Sequence, residues 1–297
     1  MNKETAFLST RPHITATHTS AANFSLPEEV VASIPKKAPS IAFAMISFWR
    51  DQHMAVQAVR SIRLFYPKAP ILILDDANWP MQPKVARQLV KLGVCYRKSD
   101  WERGKSTKER SNFTRNHMAS QCAAFADFAS EVGTDILCKI DSDVIVTGAD
   151  LPMWLGSNNM IMAASIRRDA VHGWCYLMRR KSLQEIAALQ KMGRFKDHQC
   201  KFEDVYHREI FREAFGPEAV LDYEINKETS RSYTMDYAHP KEIIPEYHKG
   251  LLRYVTVNFG GLMMIDLPSP EARRERATAH MKAFVDFLED KIKSTSQ

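Results

Sequence analysis

The stretch ILCKIDSDVIV, residues 136–146, decides the fold class of this 297-residue chain. A mostly apolar run from Ile136 to Ile140 leads directly into Asp141-Ser-Asp143, and the apolar character resumes at Val144. A short continuous apolar run is typical of a strand that is buried on both faces. We therefore predict a buried strand that carries two aspartates at its carboxyl end.

The residues before this strand alternate between strand and helix patterns. Further apolar runs predict strands, and apolar positions at helical spacing predict helices between them. The alternation implies a mostly parallel sheet flanked by helices, an α/β fold class. The predicted strands cover residues 41–47, 71–74 and 94–96, and the predicted helices cover residues 53–66, 84–92 and 118–132.

The alternation is looser after residue 150, which predicts an α+β extension of the same sheet rather than a separate domain. We expect a polar leader without signal-peptide character at 1–38, a domain at 39–268 and a C-terminal helix at 269–297. Strands are predicted at 160–165, 173–178, 255–259 and 262–265, and helices at 183–192, 205–215 and 270–293.

Composition excludes several classes of protein. A hydrophobic content of 45% excludes a disordered chain, and a net charge of +6 is a mild basic bias. The five cysteines are odd in number and lack zinc-site spacing, which argues against a secreted disulfide scaffold. We expect a cytoplasmic protein. The apolar stripe of the C-terminal helix is expected to pack on the domain, with peripheral contact to the inner face of a membrane as the alternative.

Polar residues follow each predicted strand of the first half. In an open parallel sheet, ligands bind beyond the carboxyl ends of the strands. The groups there are Ser47 to Asp51, Asp75-Asp76, the segment Arg97 to Arg115 and Asp141-Ser-Asp143. The segment from Arg97 to Arg115 holds seven basic and three acidic residues, a charge of +4. Carboxylates beside a basic loop predict a nucleotide whose diphosphate is bridged to the protein by Mg²⁺ or Mn²⁺.

The two aspartates of residues 141–143 have two interpretations. If the strand continues through them, Asp141 and Asp143 share one face, and their charges repel unless a cation or hydrogen bonds offset them. Alternatively, one of them caps the following turn and the other is solvated. The preceding buried strand favours the cation.

Several short motifs resemble those of nucleotide-sugar glycosyltransferases of the GT-A fold. Asp141-Ser-Asp143 resembles their metal-binding Asp-x-Asp motif, and Thr114-Arg-Asn116 resembles the segment before it. Phe202-Glu-Asp-Val205, preceded by the stretch 173–183, resembles the Glu-Asp motif of inverting members. The resemblance covers residues 41–265 in the order and spacing of motifs. It implies a single GT-A-like domain, with a nucleotide-binding half at 39–150 and an acceptor half at 151–268.

The resemblance implies a donor site for a nucleoside diphosphate sugar, with a UDP-sugar favoured. Asp76, with Asp75 as the alternate, would contact the nucleoside, although a turn or helix cap explains the pair nearly as well. Trp49 and Trp79 are candidates for stacking on the base, with buried packing favoured. The remaining donor residues implied are Ser47, Arg50, Lys105, Arg110, Arg115, Asn116, Asp141 and Lys249, with Arg103 and Arg253 as further candidates for the diphosphate; a solvated loop is the alternative for the basic residues.

The resemblance also implies the catalytic and metal-binding residues. Asp204, with Glu203 second, would accept the proton of an acceptor hydroxyl, or the two acids would merely favour a helix N-terminus. Trp174 would line the pocket, or pack in the core. Asp141, Asp143 and His248 would hold Mn²⁺ or Mg²⁺, with His239 as the alternative histidine.

The implied reaction is metal-dependent transfer of a sugar to a hydroxyl acceptor of a glycan or glycoconjugate, as in polysaccharide biosynthesis. The order of the motifs favours inversion, whereas the context after Asp143 is similar to retaining members, so the stereochemistry stays open. A sugar-phosphate nucleotidyltransferase is disfavoured, because residues 41–52 contain no glycine. A non-catalytic nucleotide- or glycan-binding protein is the other alternative. No nucleic-acid partner is expected, because the basic cluster lacks interleaved aromatic residues.

Overall fold

The structure is a computed structural model, and residues 38–297 form one compact unit. Its description covers residues 40–77, 79–99, 107–153, 155, 161–163, 166–167, 170–171, 174–195, 203–222, 232–234, 245–252, 254, 256–260 and 269–295.

A seven-stranded sheet forms the centre of the unit. Its order is β10-β6-β9-β4-β1-β2-β3, and every neighbouring pair is parallel except the two pairs that involve β9. The predicted mostly parallel sheet is therefore confirmed. The strands are β1 (Ile41–Ser47), β2 (Ile71–Asp75), β3 (Val94–Lys98), β4 (Ile136–Ile140), β6 (Ile161–Ala163), β9 (Cys175–Arg179) and β10 (Val220–Asp222).

Two smaller sheets accompany the large one. In the three-stranded sheet, β12 pairs parallel to β11 and antiparallel to β5, and β7 and β8 form an antiparallel pair. This sheet lies next to the carboxyl end of β4, since only residues 141–143 separate β4 from β5. The strands are β5 (Val144–Val146), β7 (Ile166–Arg167), β8 (Ala170–Val171), β11 (Ser232–Thr234) and β12 (Thr256–Asn258).

Helices cover both faces of the large sheet, as predicted. Alternate residues of β1 point to opposite sides, so that Phe43 joins one hydrophobic cluster and Ala42 joins the other. The first cluster includes residues of α1, α2 and α7, and the second includes residues of α3, α4 and α5. The helices are α1 (Gln52–Phe65), α2 (Pro83–Lys91), α3 (Thr107–Glu131), α4 (Arg180–Lys191), α5 (Glu203–Phe215), α6 (Pro245–Leu251) and α7 (Pro270–Thr295).

The C-terminal helix α7 packs on the domain through its apolar stripe. Met281, Phe284 and Val285 are fully buried, and Arg60 of α1 forms ion pairs with Asp286 and Glu289 of α7 at 2.9 and 2.6 Å. The expected packing is therefore present. None of the described helices has both the length and the apolar character that spanning a bilayer requires.

Two expectations differ from the observed fold. Helix α3 begins at Thr107, well before the predicted start, so Arg110 lies on a helix and not on a loop. The sequence of the first half of α3 is mostly polar and has no apolar stripe. The start of the helix was therefore missed, because no helical periodicity marks it. Strand β3 extends through Arg97 to Lys98. The strand predicted over 262–265 lies outside the described residues.

Candidate functional site

The carboxyl ends of β1, β2 and β4 meet at one edge of the large sheet. Ser47 is in register with Asp75, and the N–H of Asp76 donates to the backbone oxygen of Ser47 at 3.1 Å. On the other side of β1, the N–H of Asp141 donates to the backbone oxygen of Trp174 at 2.9 Å. Three of the four predicted polar groups therefore come together at this edge, because parallel strands end on the same side.

Asp141 and Asp143 do not lie on one continuous strand. β4 ends at Ile140, and Ser142 and Asp143 form a turn in which the N–H of Val144 donates to the backbone oxygen of Asp141 at 3.2 Å. The strand therefore does not continue through the two aspartates, and the condition for their sharing one strand face is not met. The turn is required because β4 belongs to the large sheet and β5 belongs to the three-stranded sheet.

The segment after β12 packs closely around Asp143. The N–H of Phe259 donates to the backbone oxygen of Asp143 at 2.7 Å. A Cβ atom built on Gly260 would lie only 2.5 Å from Oδ2 of Asp143. Among the described atoms, Oδ1 of Asp143 is buried without a hydrogen-bond partner. A buried acceptor in this condition is costly, so it needs a donor or a cation that the described residues do not supply.

The surroundings of Asp143 favour its protonated form. Burial, followed by the charges of Asp141 and Asp51, raises the pKa of Asp143 to about 7, against the opposing effect of Lys139. Each cause penalises the negative charge on this carboxyl group. A cation bound at Asp143 would remove the penalty.

Asp141 is held by a buried lysine of β4. The ammonium of Lys139 lies 2.6 Å from Oδ1 of Asp141, and the lysine side chain is 2% exposed whereas that of Asp141 is 40% exposed. One oxygen of Asp141 is thereby fixed from the core side.

Asp51 brings a third carboxylate near the pair. It immediately precedes α1, and its Oδ1 accepts a hydrogen bond from Nε of Arg274 in α7 at 3.1 Å. The charge of Asp51 acts on Asp143. Arg274 partly offsets that charge. Asp51 therefore contributes to the electrostatics of the site through its pairing with Arg274.

Asp75 and Asp76 differ in what their side chains contact. The Asp75 carboxylate is buried, and it accepts hydrogen bonds from the hydroxyl of Tyr96 and the N–H of Met81. Burial raises the pKa of Asp75. Oδ1 of Asp76 accepts a hydrogen bond from the N–H of Trp79 at 3.1 Å. These contacts give Asp75 a clear structural role and support a turn role for Asp76; nucleoside contact stays a prediction for both.

The aromatic residues at this edge have contrasting exposures. Trp79 is 49% exposed, so buried packing, which was favoured for it, is wrong, because the chain turns outward after β2. The Arg50 guanidinium lies 5.2 Å from the ring centroid of the neighbouring Trp49. Trp174 is 6% exposed and belongs to the core cluster that contains α1. Its role in lining the pocket stays a prediction.

The two acids proposed for proton transfer begin helix α5. The helix starts at Glu203, so the backbone places Glu203 and Asp204 in its first turn, where the helix dipole favours acids. Arg110, Arg115 and Asn116 lie on α3. The side chains of these five residues, together with all of Arg103, Lys105, His239 and Arg253, lie outside the part of the chain that the structure describes.

His248 lies on α6 in an aromatic cluster. Its ring centroid is 5.2 Å from that of Phe284 and 5.4 Å from that of Phe287, and burial lowers its pKa. Phe284 in turn contacts Phe259, the residue that donates its N–H to Asp143. His248 is thus near the same segment, and a ligand role stays a prediction. Its neighbour Lys249 is exposed.

The residues at the sheet edge fit a divalent cation that is shared with a phosphate ligand. Over the described ranges, no three His, Cys, Asp or Glu side chains form a preassembled metal centre. One or two carboxylates are nevertheless enough for Mg²⁺ when phosphate oxygens and water complete its octahedral coordination. Asp143, whose Oδ1 has no hydrogen-bond partner among the described atoms, and Asp141, whose side chain is 40% exposed, would be these two ligands.

Sequence reasoning missed two contacts of this site. Lys139 lies in the stretch that carries the motif, but no role was predicted for it. A lysine in an otherwise apolar strand nevertheless indicates a buried partner. The contact between Gly260 and Asp143 joins distant parts of the chain and has no local sequence signal.

Comparison with known proteins finds solved glycosyltransferases among the structural neighbours. No protein-family model and no curated sequence matches the chain. An active-site mutant of LgtC has a TM-score of 0.45 at 15% identity, covering 80% of this chain and 95% of its own. GlyE of Streptococcus pneumoniae has a TM-score of 0.46 at 13% identity, covering 85% and 64%. The mannosyltransferase PcManGT of Pyrobaculum calidifontis, solved with GDP-Man and Mn²⁺, has a TM-score of 0.40 at 10% identity, covering 91% and 80%. A likeness this distant does not assign an activity to the chain.

Proposed function

We propose that the chain is a metal-dependent glycosyltransferase that moves a sugar from a nucleoside diphosphate donor to a hydroxyl group of a glycan or glycoconjugate. The observation that supports this most is the environment of Asp143. Among the described atoms, its Oδ1 is buried without a hydrogen-bond partner, and Asp143 follows β4 of a mostly parallel sheet, two residues after Asp141. A UDP-sugar is the favoured donor.

The donor site would use the residues at the ends of β1, β2 and β4. Asp141 and Asp143 would hold Mn²⁺ or Mg²⁺ together with the diphosphate oxygens. When bound, the cation supplies positive charge that stabilises the departing diphosphate. Asp76 and the segment from Ser47 to Arg50 would contact the nucleoside, and Trp79 would offer an exposed aromatic face to the base.

The basic residues would assist the diphosphate in its departure. Arg110 and Arg115 lie on α3, which follows β3 at the same edge of the sheet, and Lys249 is exposed on α6. Their charges would stabilise the negative charge that develops on the leaving group. Lys105 and Asn116 would act with them.

The transfer itself would be a single displacement with inversion. The acceptor hydroxyl oxygen attacks the anomeric carbon and forms the new glycosidic bond, while the bond from that carbon to the diphosphate oxygen breaks. The bonding electron pair leaves with the diphosphate, and the hydroxyl proton passes to Asp204. Glu203, its neighbour in the first turn of α5, is the second candidate base.

Release of nucleoside diphosphate from a panel of sugar donors with Mn²⁺ tests the proposal. We expect wild-type protein to release UDP. Asp204→Ala should lose at least about 100-fold of this activity, because it removes the proposed general base, and Asp143→Ala should lose about as much, because it removes a proposed cation ligand. Asp290→Ala is the matched control, because its side chain is 83% exposed on α7. Full activity of either site variant would remove that residue from its role. Formation of a nucleotide sugar from a sugar phosphate and a nucleoside triphosphate would instead show a nucleotidyltransferase.

A further inference from the structure

Lys139 is an unusual residue for the place it occupies. It lies inside β4, where all five residues are buried, and its side chain is 2% exposed. A buried ammonium is retained only when it is paired, because the loss of hydration is otherwise prohibitive. Its partner at 2.6 Å is Asp141, which belongs to the proposed cation site.

The core side of the sheet holds this ammonium in place. Nζ of Lys139 lies 5.2 Å from the ring centroid of Tyr176 on β9, a cation–π contact. The Tyr176 hydroxyl lies 3.0 Å from Nδ1 of His207 on α5, and Nε2 of His207 lies 3.2 Å from Sγ of Cys122 on α3. All four side chains are buried. The ammonium is therefore fixed against Asp141 by residues from three elements.

The position of Lys139 changes the charge that an incoming cation meets. Asp141 and Asp143 together carry two potential negative charges, and the ammonium offsets one of them. Arg274 pairs with Asp51, the third carboxylate nearby. A divalent cation that approaches alone would compete with an ammonium already in contact with Asp141. A cation that arrives with a diphosphate brings the missing negative charge.

We infer that Lys139 is a resident counter-ion of the Asp-x-Asp segment, and that it makes uptake of the divalent cation depend on the nucleoside diphosphate. The inference rests on the proposed function, because it assumes the cation site at Asp141 and Asp143. Lys139 is a positioning residue in this account: it acts through Asp141 and does not contact the sugar. The coupling between cation and nucleotide is the property that it sets.

The test is titration of Mn²⁺ into wild-type and variant protein, with and without saturating UDP, followed by the electron paramagnetic resonance signal of unbound Mn²⁺. Lys139→Met keeps the length and removes the charge, and the partly exposed Asp141 is then solvated, so the variant should fold. We expect Lys139→Met to bind Mn²⁺ alone about tenfold more tightly, and the gain produced by UDP to shrink by the same factor. Lys139→Arg should restore the dependence on UDP. Lys282→Met, on the exposed face of α7, should change nothing.

A purely structural role of Lys139 predicts that its replacement does not increase the affinity for Mn²⁺ alone. If Lys139→Met binds Mn²⁺ alone no more tightly than wild type, while Mn²⁺ still binds with UDP, the counter-ion role is overturned and the proposed cation site stands. If neither wild type nor any variant binds Mn²⁺ in the presence of UDP, the cation site itself is wrong, and the inference falls with it.

Discussion

Gly260 lies directly against the carboxylate of Asp143. A Cβ atom on Gly260 would be 2.5 Å from Oδ2 of Asp143 and 2.9 Å from Oδ1 of Asn258. The N–H of Gly260 also donates to that Asn258 oxygen at 2.6 Å. The two contacts leave no room for a side chain. The backbone after β12 therefore determines where the carboxylate of Asp143 can be.

Gly260→Ala should displace the Asp143 carboxylate. We expect Mn²⁺-dependent UDP affinity to fall by roughly tenfold or more, because a cation ligand moved by even a few tenths of an ångström loses its geometry. Isothermal titration calorimetry measures the change. Gly250→Ala is the control, since its Cβ would meet nothing within 4 Å. Equal affinities for wild type and Gly260→Ala would show that Asp143 does not depend on this contact.

Asp143→Asn should stabilise the protein at high pH. The pKa of Asp143 is raised to about 7, first by burial and then by Asp141 and Asp51, so the folded state holds a proton that the unfolded state has lost. The stability that this proton provides is complete below pH 4 and is lost as the pH rises through 7. In urea unfolding with a chelator present, the variant should be more stable by roughly 1–3 kcal/mol at pH 8 and equal to wild type near pH 4.

Asp290→Asn is the control for that pH series, because its side chain is 83% exposed. A difference between Asp143→Asn and wild type that is the same at every pH would contradict the raised pKa of Asp143. It would then reflect packing of the amide and not the charge.

Asp75→Ala should lower stability, because it leaves the Tyr96 hydroxyl and the Met81 N–H without their buried acceptor. We expect a loss of about 2–3 kcal/mol in the free energy of unfolding. Tyr96→Phe removes one donor only and should cost about 1 kcal/mol. If Asp75→Ala keeps its stability but loses UDP binding, Asp75 is a nucleoside ligand instead.

Phe284→Ala should destabilise the domain, since Phe284 is fully buried and its ring contacts those of His248 and Phe259. Removal of a buried phenyl ring costs about 3–5 kcal/mol. Lys282→Ala, with a side chain that is 61% exposed, should stay near wild type. If Phe284→Ala keeps the wild-type unfolding midpoint but loses binding to anionic vesicles, the apolar stripe of α7 contacts a membrane instead.

The central strands were predictable because burial on both faces favours a nearly continuous apolar run. β1, β2 and β4 have this pattern, with Lys139 as the exception inside β4, and each strand is buried along nearly its whole length. The first half of α3 was not predictable, because its sequence is mostly polar and shows no helical period of apolar residues. The three-residue strands β10, β11 and β12 were missed or only approximately placed, since so few residues show no alternation.

The candidate site was also predictable only in part. Local sequence placed Asp141 and Asp143 at the end of β4, because the residues that follow a strand lie at the edge of its sheet. Sequence did not assign the contacts of Lys139 and Gly260, which depend on packing between distant segments. Sequence left open whether the strand continues through the motif, because the change of sheet between β4 and β5 is a tertiary feature.

Calorimetric titration of UDP, with Mn²⁺ and then with a chelator, tests the central claim most directly. The account predicts that wild-type protein binds UDP only when Mn²⁺ is present. Asp143→Ala should lose at least about 90% of that affinity, a tenfold change or more, while it keeps a cooperative unfolding transition. Binding that is equally tight with the chelator, or equally tight in Asp143→Ala, would contradict a cation-bridged diphosphate at this edge of the sheet.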